Sequence, residues 1–242
     1  KRKGRCKPMD LRRLLSYNIR GCMQMIQTKD GLVKMVQDYG FLPFLRNRVS
    51  GFSVEEHTDP RVWFVKGVEG PWEWKGPVIQ KTKCAYGKFF AGKAGFITQE
   101  WFYAFANYRR DGYDFDARFE DGLLRRQEYQ AMKILMESGS LLSREWRKKM
   151  GISKRGEFDA IVTRLQMMGY VITIDFEYAK NKAGQAYGVG VARYATPEMY
   201  FGEEFREQVY HDTPEASKQN IIEYLKGRFP AAAEKDILHV IR

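Results

Sequence analysis

Histidine and cysteine are scarce in this chain, with three of each. His57, His211 and His239 lie far apart. Glu55-Glu56-His57-Thr58-Asp59 lacks the paired histidines one helical turn apart that a zinc site needs. Cys6, Cys22 and Cys84 are odd in number and show no CxxC spacing, so they read as free thiols in a reducing compartment. No apolar run approaches the roughly 20 residues of a bilayer span. The basic start is not followed by the apolar stretch and small-residue cleavage site of a secretory signal. These absences lead to the expectation of a cytoplasmic protein with no membrane, metal or cofactor. No GxSxG elbow occurs, and no Cys–His pairing follows from position. Gly87 to Ala94 (GKFFAGKA) matches GxxxxGK, the opening of a phosphate-binding loop. Ala94, however, stands where a Ser or Thr hydroxyl would hold magnesium, and Gln80 to Cys84 is too polar for the buried strand that feeds such a loop. Lys88 and Lys93 are therefore expected on a glycine-bent segment, with Phe89, Phe90 and Phe96 packed inward.

What the chain does have is a folded protein's composition: 242 residues, 44% hydrophobic, 14% aromatic and 29% charged. That is enough for one large domain or two small ones. The net charge of +11 is uneven, because residues 1–20 carry eight basic side chains against Asp10 alone. Such an arm suits phosphate, and it also suits a solvated tail.

Leu11 to Ile26 has helical spacing weakened by Gly21. Thr28 reads as the N-cap of a helix that Gly40 closes. After Phe41-Leu42-Pro43-Phe44, the stretch to Gly76 reads as loops and short strands covered by Trp63, Trp72 and Trp74. Trp101 to Tyr108 reads as an aromatic helix. Arg109 to Asp121 is charge-dense without a period, hence a loop or joint. Three short helices follow: Gln127 to Glu137, Ser143 to Lys149 with Ser143 as N-cap and Trp146 inward, and Glu157 to Met168 with Phe158, Ile161, Val162 and Leu165 on one stripe. The period then switches from 3.6 to 2, and Tyr170 to Tyr178 and Tyr187 to Tyr194 flank the turn-rich Lys180 to Gly184. Three helices and a hairpin with a basic tip give the order of a winged helix-turn-helix. Two last helical runs, Thr213 to Arg228 and Glu234 to Ile241, are expected to pack back on the body.

In a winged helix the third helix enters the major groove and the hairpin touches the neighbouring backbone. The outward face of the third helix offers Asp159, Thr163 and Gln166, with Arg164 at its edge. Arg144, Arg147, Lys148, Lys149, Lys154 and Arg155 form a basic cluster before it. These cations, with Lys180 and Lys182 on the wing, would neutralise phosphates of double-stranded DNA, and Thr163 and Gln166 would read base edges. Asp159 opposes deep groove insertion, and a protein–protein role for such a module stays open. Acid–base chemistry needs a carboxylate held partly out of water. Glu73 between Trp72 and Trp74, and Asp114 and Asp116 beside Tyr113 and Phe115, are the candidates. For each, an ordinary structural role is the simpler reading.

The strings GFLPF (40–44), PWEWKGPVI (71–79), CAYGKFFAGKAGFI (84–97), NYRRDGYDFDARFEDG (107–122) and LQMMGYV (165–171) resemble the AlkZ-related proteins of bacteria, from about Met25 to Gly202. That family is named for its relation to winged-helix DNA glycosylases, which remove alkylated or crosslinked bases. The resemblance implies DNA binding through an α+β fold of winged-helix units in tandem, with a C-terminal helix. The segments expected are a basic extension (1–27), an aromatic-rich domain holding a diverged first unit (28–118), the winged helix (119–202) and a helical end (203–242). It also implies a DNA-repair role. Those glycosylases position water with a Gln-x-Gln type motif, which is missing here: Gln24 and Gln27 have the wrong spacing and Gln80 stands alone. No catalytic residue carries over, and a non-catalytic transcriptional regulator stays as the alternative. A lesion enzyme should show a concave, aromatic and basic pocket with a carboxylate near Trp72 and Tyr113, where a regulator should show a flat basic face.

Overall fold

The structure, a computed structural model, describes residues 25–63, 68–181, 184 and 186–242. Residues 1–24 of the basic arm, the helical spacing within them, Lys182 and the side chain of Lys180 lie outside the described residues. In chain order the helices are α1 (Lys29–Tyr39), α2 (Pro71–Thr82), α3 (Gln99–Arg110), α4 (Phe115–Glu120), α5 (Arg126–Ser138), α6 (Ser143–Lys149), α7 (Arg155–Met167), α8 (Pro197–Phe201), α9 (Glu203–Gln208), α10 (Pro214–Arg228) and α11 (Glu234–Ile241). The strands are β1 (Phe41–Pro43), β2 (Ala85–Phe90), β3 (Lys93–Ile97), β4 (Ser140–Leu142), β5 (Ile172–Lys180) and β6 (Ala186–Ala195). Mixed α+β architecture results, built on a six-stranded sheet of order β1-β3-β2-β5-β6-β4 with every pair antiparallel.

That strand order is mirrored about its centre. On each side a helix and a short strand precede a later helix and a hairpin, and the short strand pairs with the second hairpin strand. The first strands of the two hairpins meet at the middle, where Tyr86 pairs with Thr173. The helix before each hairpin lies against the other half. From α2, Gln80 Nε2 donates to the Ile174 carbonyl at 2.8 Å. From α7, the Gln166 carboxamide accepts from Lys88 N at 3.2 Å.

Local chemistry explains the element ends. Thr28 accepts from Gly31 N at 3.1 Å and starts α1, and Gly40 ends it at φ 67°, a left-handed position that favours glycine. The stretch expected as loops up to Gly76 becomes helical at Pro71, because Pro suits the first turn and Glu73 accepts from Gly70 N at 2.9 Å. Pro77 inside α2 masks that start in the sequence. Arg109 to Asp121 is likewise more ordered than a joint: Asp114 caps α4 by accepting from Ala117 N at 2.8 Å. Leu142, rather than Ser143, occupies the N-cap of α6. The GKFFAGKA string is the β2–β3 hairpin, turned at Ala91 and Gly92.

Among the described residues three apolar cores result. Leu32, Val36, Phe44, Trp74 and Val78 fill one around α1 and α2. Phe89, Phe102, Phe105, Ile221 and Leu225 fill another, where α10 packs on α3 and Asn107 Nδ2 donates to Ser217 Oγ at 2.9 Å. Leu135, Trp146, Phe158 and Leu165 fill the third, with Trp146 Nε1 donating to the Ala131 carbonyl at 3.0 Å. Arg110, fully buried at the end of α3, ties the halves together. It reaches Glu198 at 2.7 Å and the Gly169 carbonyl at 2.9 Å, and Arg109 donates to the Met167 carbonyl at the end of α7. Cys84 is buried and unpaired, and burial pushes its thiol up to about 12. Among the described residues no helix is long and apolar enough to cross a membrane, and no group of three His, Cys, Asp or Glu side chains could hold a metal ion.

Candidate nucleic-acid interface

A cleft of about 560 Å³ opens where the two halves of the sheet meet. One side is supplied by α2, β2 and β3 through Trp72, Lys75, Tyr86, Lys88 and Ala94. The other comes from α6, α7, β5 and β6 through Arg144, Arg147, Arg155, Phe158, Asp159, Phe176 and Tyr194. Among the described residues, five aromatic side chains, five cations and one carboxylate thus share a concavity. Asp159 is balanced by Arg155 one turn earlier, at 3.5 Å. Burial pushes the Tyr194 phenol up to about 12, so at neutral pH it is an uncharged donor.

Of the six cations in the basic cluster, Arg144, Arg147 and Arg155 line the cleft. Lys148, Lys149 and Lys154 are exposed on the α6 end and the turn before α7. The outward face expected for α7 is occupied. Thr163 Oγ1 accepts from Lys88 Nζ at 2.8 Å, and Gln166 is buried and donates to Thr173 Oγ1 at 3.1 Å. Gly87 makes this approach possible: a Cβ there would sit 3.0 Å from Gln166 Nε2 and 2.7 Å from the Phe89 ring. Arg164, expected at the edge of the same face, turns the other way and pairs with buried Glu128 of α5. Sequence spacing orients a helix relative to its own core and carries no information on what a second half will cover.

None of the three candidate carboxylates lines the cleft. Glu73 caps α2 and Asp114 caps α4. Asp116 lines a separate groove with Phe115, Phe119 and Tyr129. The carboxylate in the cleft is Asp159, and the aromatic wall includes Trp72 but not Tyr113. Lys75 is one of the members sequence reasoning missed, along with Tyr86 and Phe176. It is 3% exposed, and its ammonium lies 3.5 Å from the Trp72 ring centroid and 4.3 Å from that of Phe176. Burial lowers its pKa to about 8, with the Glu73 charge pulling in the opposite direction. The signal lay in Trp72 and Lys75 being one helical turn apart, which could be read only once α2 was recognised as a helix.

The family model of the AlkZ-related proteins matches residues 26–242, beyond the Gly202 limit of the resemblance. No curated protein matches the chain. Among solved structures it is similar to Streptomyces sahachiroi DNA glycosylase AlkZ, at 10% identity and a TM-score of 0.43, over 65% of this chain and 43% of that one. It therefore spans less than half of that relative's length. With the match running from Ile26 to the last residue, the chain belongs to the AlkZ-related family.

Proposed function

We propose that this chain binds double-stranded DNA and accepts a damaged or displaced nucleotide in the cleft, as a DNA-repair protein of glycosylase type. The observation that carries the reading is the meeting of Arg144, Arg147 and Arg155 with the rings of Trp72, Tyr86, Phe176 and Tyr194 in one concavity. Arginines neutralise phosphate, and aromatic faces hold an unstacked base. The size lies within the ~300–1,000 Å³ of small-ligand sites. Residues 119–202 act as a winged helix in this reading, since the order of helix, strand, two helices and hairpin within them is that of the motif. Residues 28–118 act as a diverged first unit that contributes Trp72, Lys75, Tyr86 and Lys88 to the cleft, and residues 203–242 brace α3. A regulator that reads sequence through α7 is disfavoured, because the face it would use is packed on β2.

Fluorescence anisotropy on short duplexes, intact or carrying an alkylated base, tests this across a salt series. Tighter binding to the damaged duplex is expected. Replacing Arg144, Arg147 and Arg155 with alanine should lower the salt slope by roughly one for each phosphate no longer neutralised. Absence of binding at low salt would refute the proposal.

A further inference from the structure

We infer that the cleft is also a covalent site, in which the Lys75 amine condenses with the C1′ aldehyde of a ring-opened abasic deoxyribose in duplex DNA. This rests on the DNA-binding reading above and gives a task to a group that phosphate and base recognition leave unused. Lys75 is nearly inaccessible yet lines the cleft, its nitrogen held between Trp72 and Phe176. Among the described residues no carboxylate comes within ion-pair distance of it. A buried ammonium without a counter-ion costs stability that a methionine or leucine in the same space would not. Lysines kept under those conditions, in a concavity and among other cations, are suited to attack carbonyl carbon.

The aldehyde is the carbonyl that fits this setting. It appears on the sugar wherever a base has been lost, so a base-releasing hydrolysis is the class of reaction that supplies it. Flanking phosphates would meet Lys88, Arg144, Arg147 and Arg155 in the same cleft. The step balances without a co-reactant. The amine lone pair adds to C1′, the carbinolamine loses water, and amine plus aldehyde become imine plus water with no change in oxidation state. With the pKa lowered to about 8, on the order of a tenth of the amine is free at neutral pH, against less than about a thousandth for an ordinary lysine. The two ring faces favour the ammonium and hold the nitrogen in place until substrate displaces them.

The test uses the full chain, a duplex with a single abasic site, and sodium cyanoborohydride, which reduces an imine to a permanent secondary amine. The expected result is a covalent protein–DNA adduct whose crosslinked peptide contains Lys75. Lys75→Met should lose the adduct by roughly a hundredfold or more when each protein is compared at a concentration that anisotropy shows to saturate the same duplex. Peptide mapping on the unsubstituted protein decides the matter even if the variant does not fold. No adduct, or an adduct on another amine, with binding retained overturns the inference and leaves the DNA-binding proposal standing. Absence of binding to abasic and damaged duplexes alike overturns both.

Discussion

At the scale of single residues, Lys75 and Arg110 are two buried cations with opposite provision. Arg110 has the Glu198 carboxylate and the Gly169 carbonyl on its guanidinium, and the face of Tyr170 beneath it. Lys75 has the Trp72 and Phe176 rings, and among the described residues no carboxylate within ion-pair distance. Because its folded pKa lies below that of a free lysine, folding disfavours its charged form. The unfavourable term is fully present below about pH 8 and fades as pH rises from there towards the unfolded value of 10.5. Lys75→Met is therefore expected to stabilise the protein at pH 7 by about 1–3 kcal/mol in urea denaturation. The gain should shrink above about pH 8 and be mostly gone by about pH 10. A variant less stable than the unsubstituted chain at pH 7 would contradict this account of the site.

At the scale of elements, sequence pattern located most helices and strands because each buries one face against a local core, and such faces are written in the 3.6 and 2 periods. The Phe158, Ile161, Val162 and Leu165 stripe of α7 is an example. It missed α2, where Pro77 interrupts the usual signal, and α4, which is only six residues long. The candidate site was legible in part. Arg144, Arg147 and Arg155 stand out by charge beside a helix start. Thr163 and Gln166 read as outward because nothing in residues 126–195 alone would cover them. What covers them is β2, where Gly87 lets α7 approach. Gly87→Ala should therefore push the two apart, costing about 1–3 kcal/mol by urea denaturation, where an alanine at exposed Gly156, with open space around it, should cost nothing similar.

At the scale of the whole molecule, the two halves are joined through the β2–β5 pairing, the crossed helices α2 and α7, and the Arg110 anchor. Segments 28–118 and 119–202 share one sheet, so the chain is expected to unfold as a unit. Tryptophan fluorescence draws on Trp63, Trp72, Trp74 and Trp101 in one half and Trp146 in the other. Its transition in urea should coincide with that of far-UV circular dichroism. Two separated steps would show that the halves fold apart. The mirrored sheet also explains why the cleft could not be foreseen from either half. Its two walls, each with aromatic and basic side chains, come from segments whose sequences are each complete as local folds.

With Thr163 and Gln166 of α7 engaged by Lys88 and Thr173, the DNA-binding reading proposed above leaves this protein no lookup table for the bases it passes. If it patrols DNA, it does so without an address, and what can arrest it is a fault in the duplex rather than a word written there. Selection from a pool of randomised intact duplexes should accordingly enrich no motif, while a single distorted site placed in that pool should be recovered whatever sequence surrounds it.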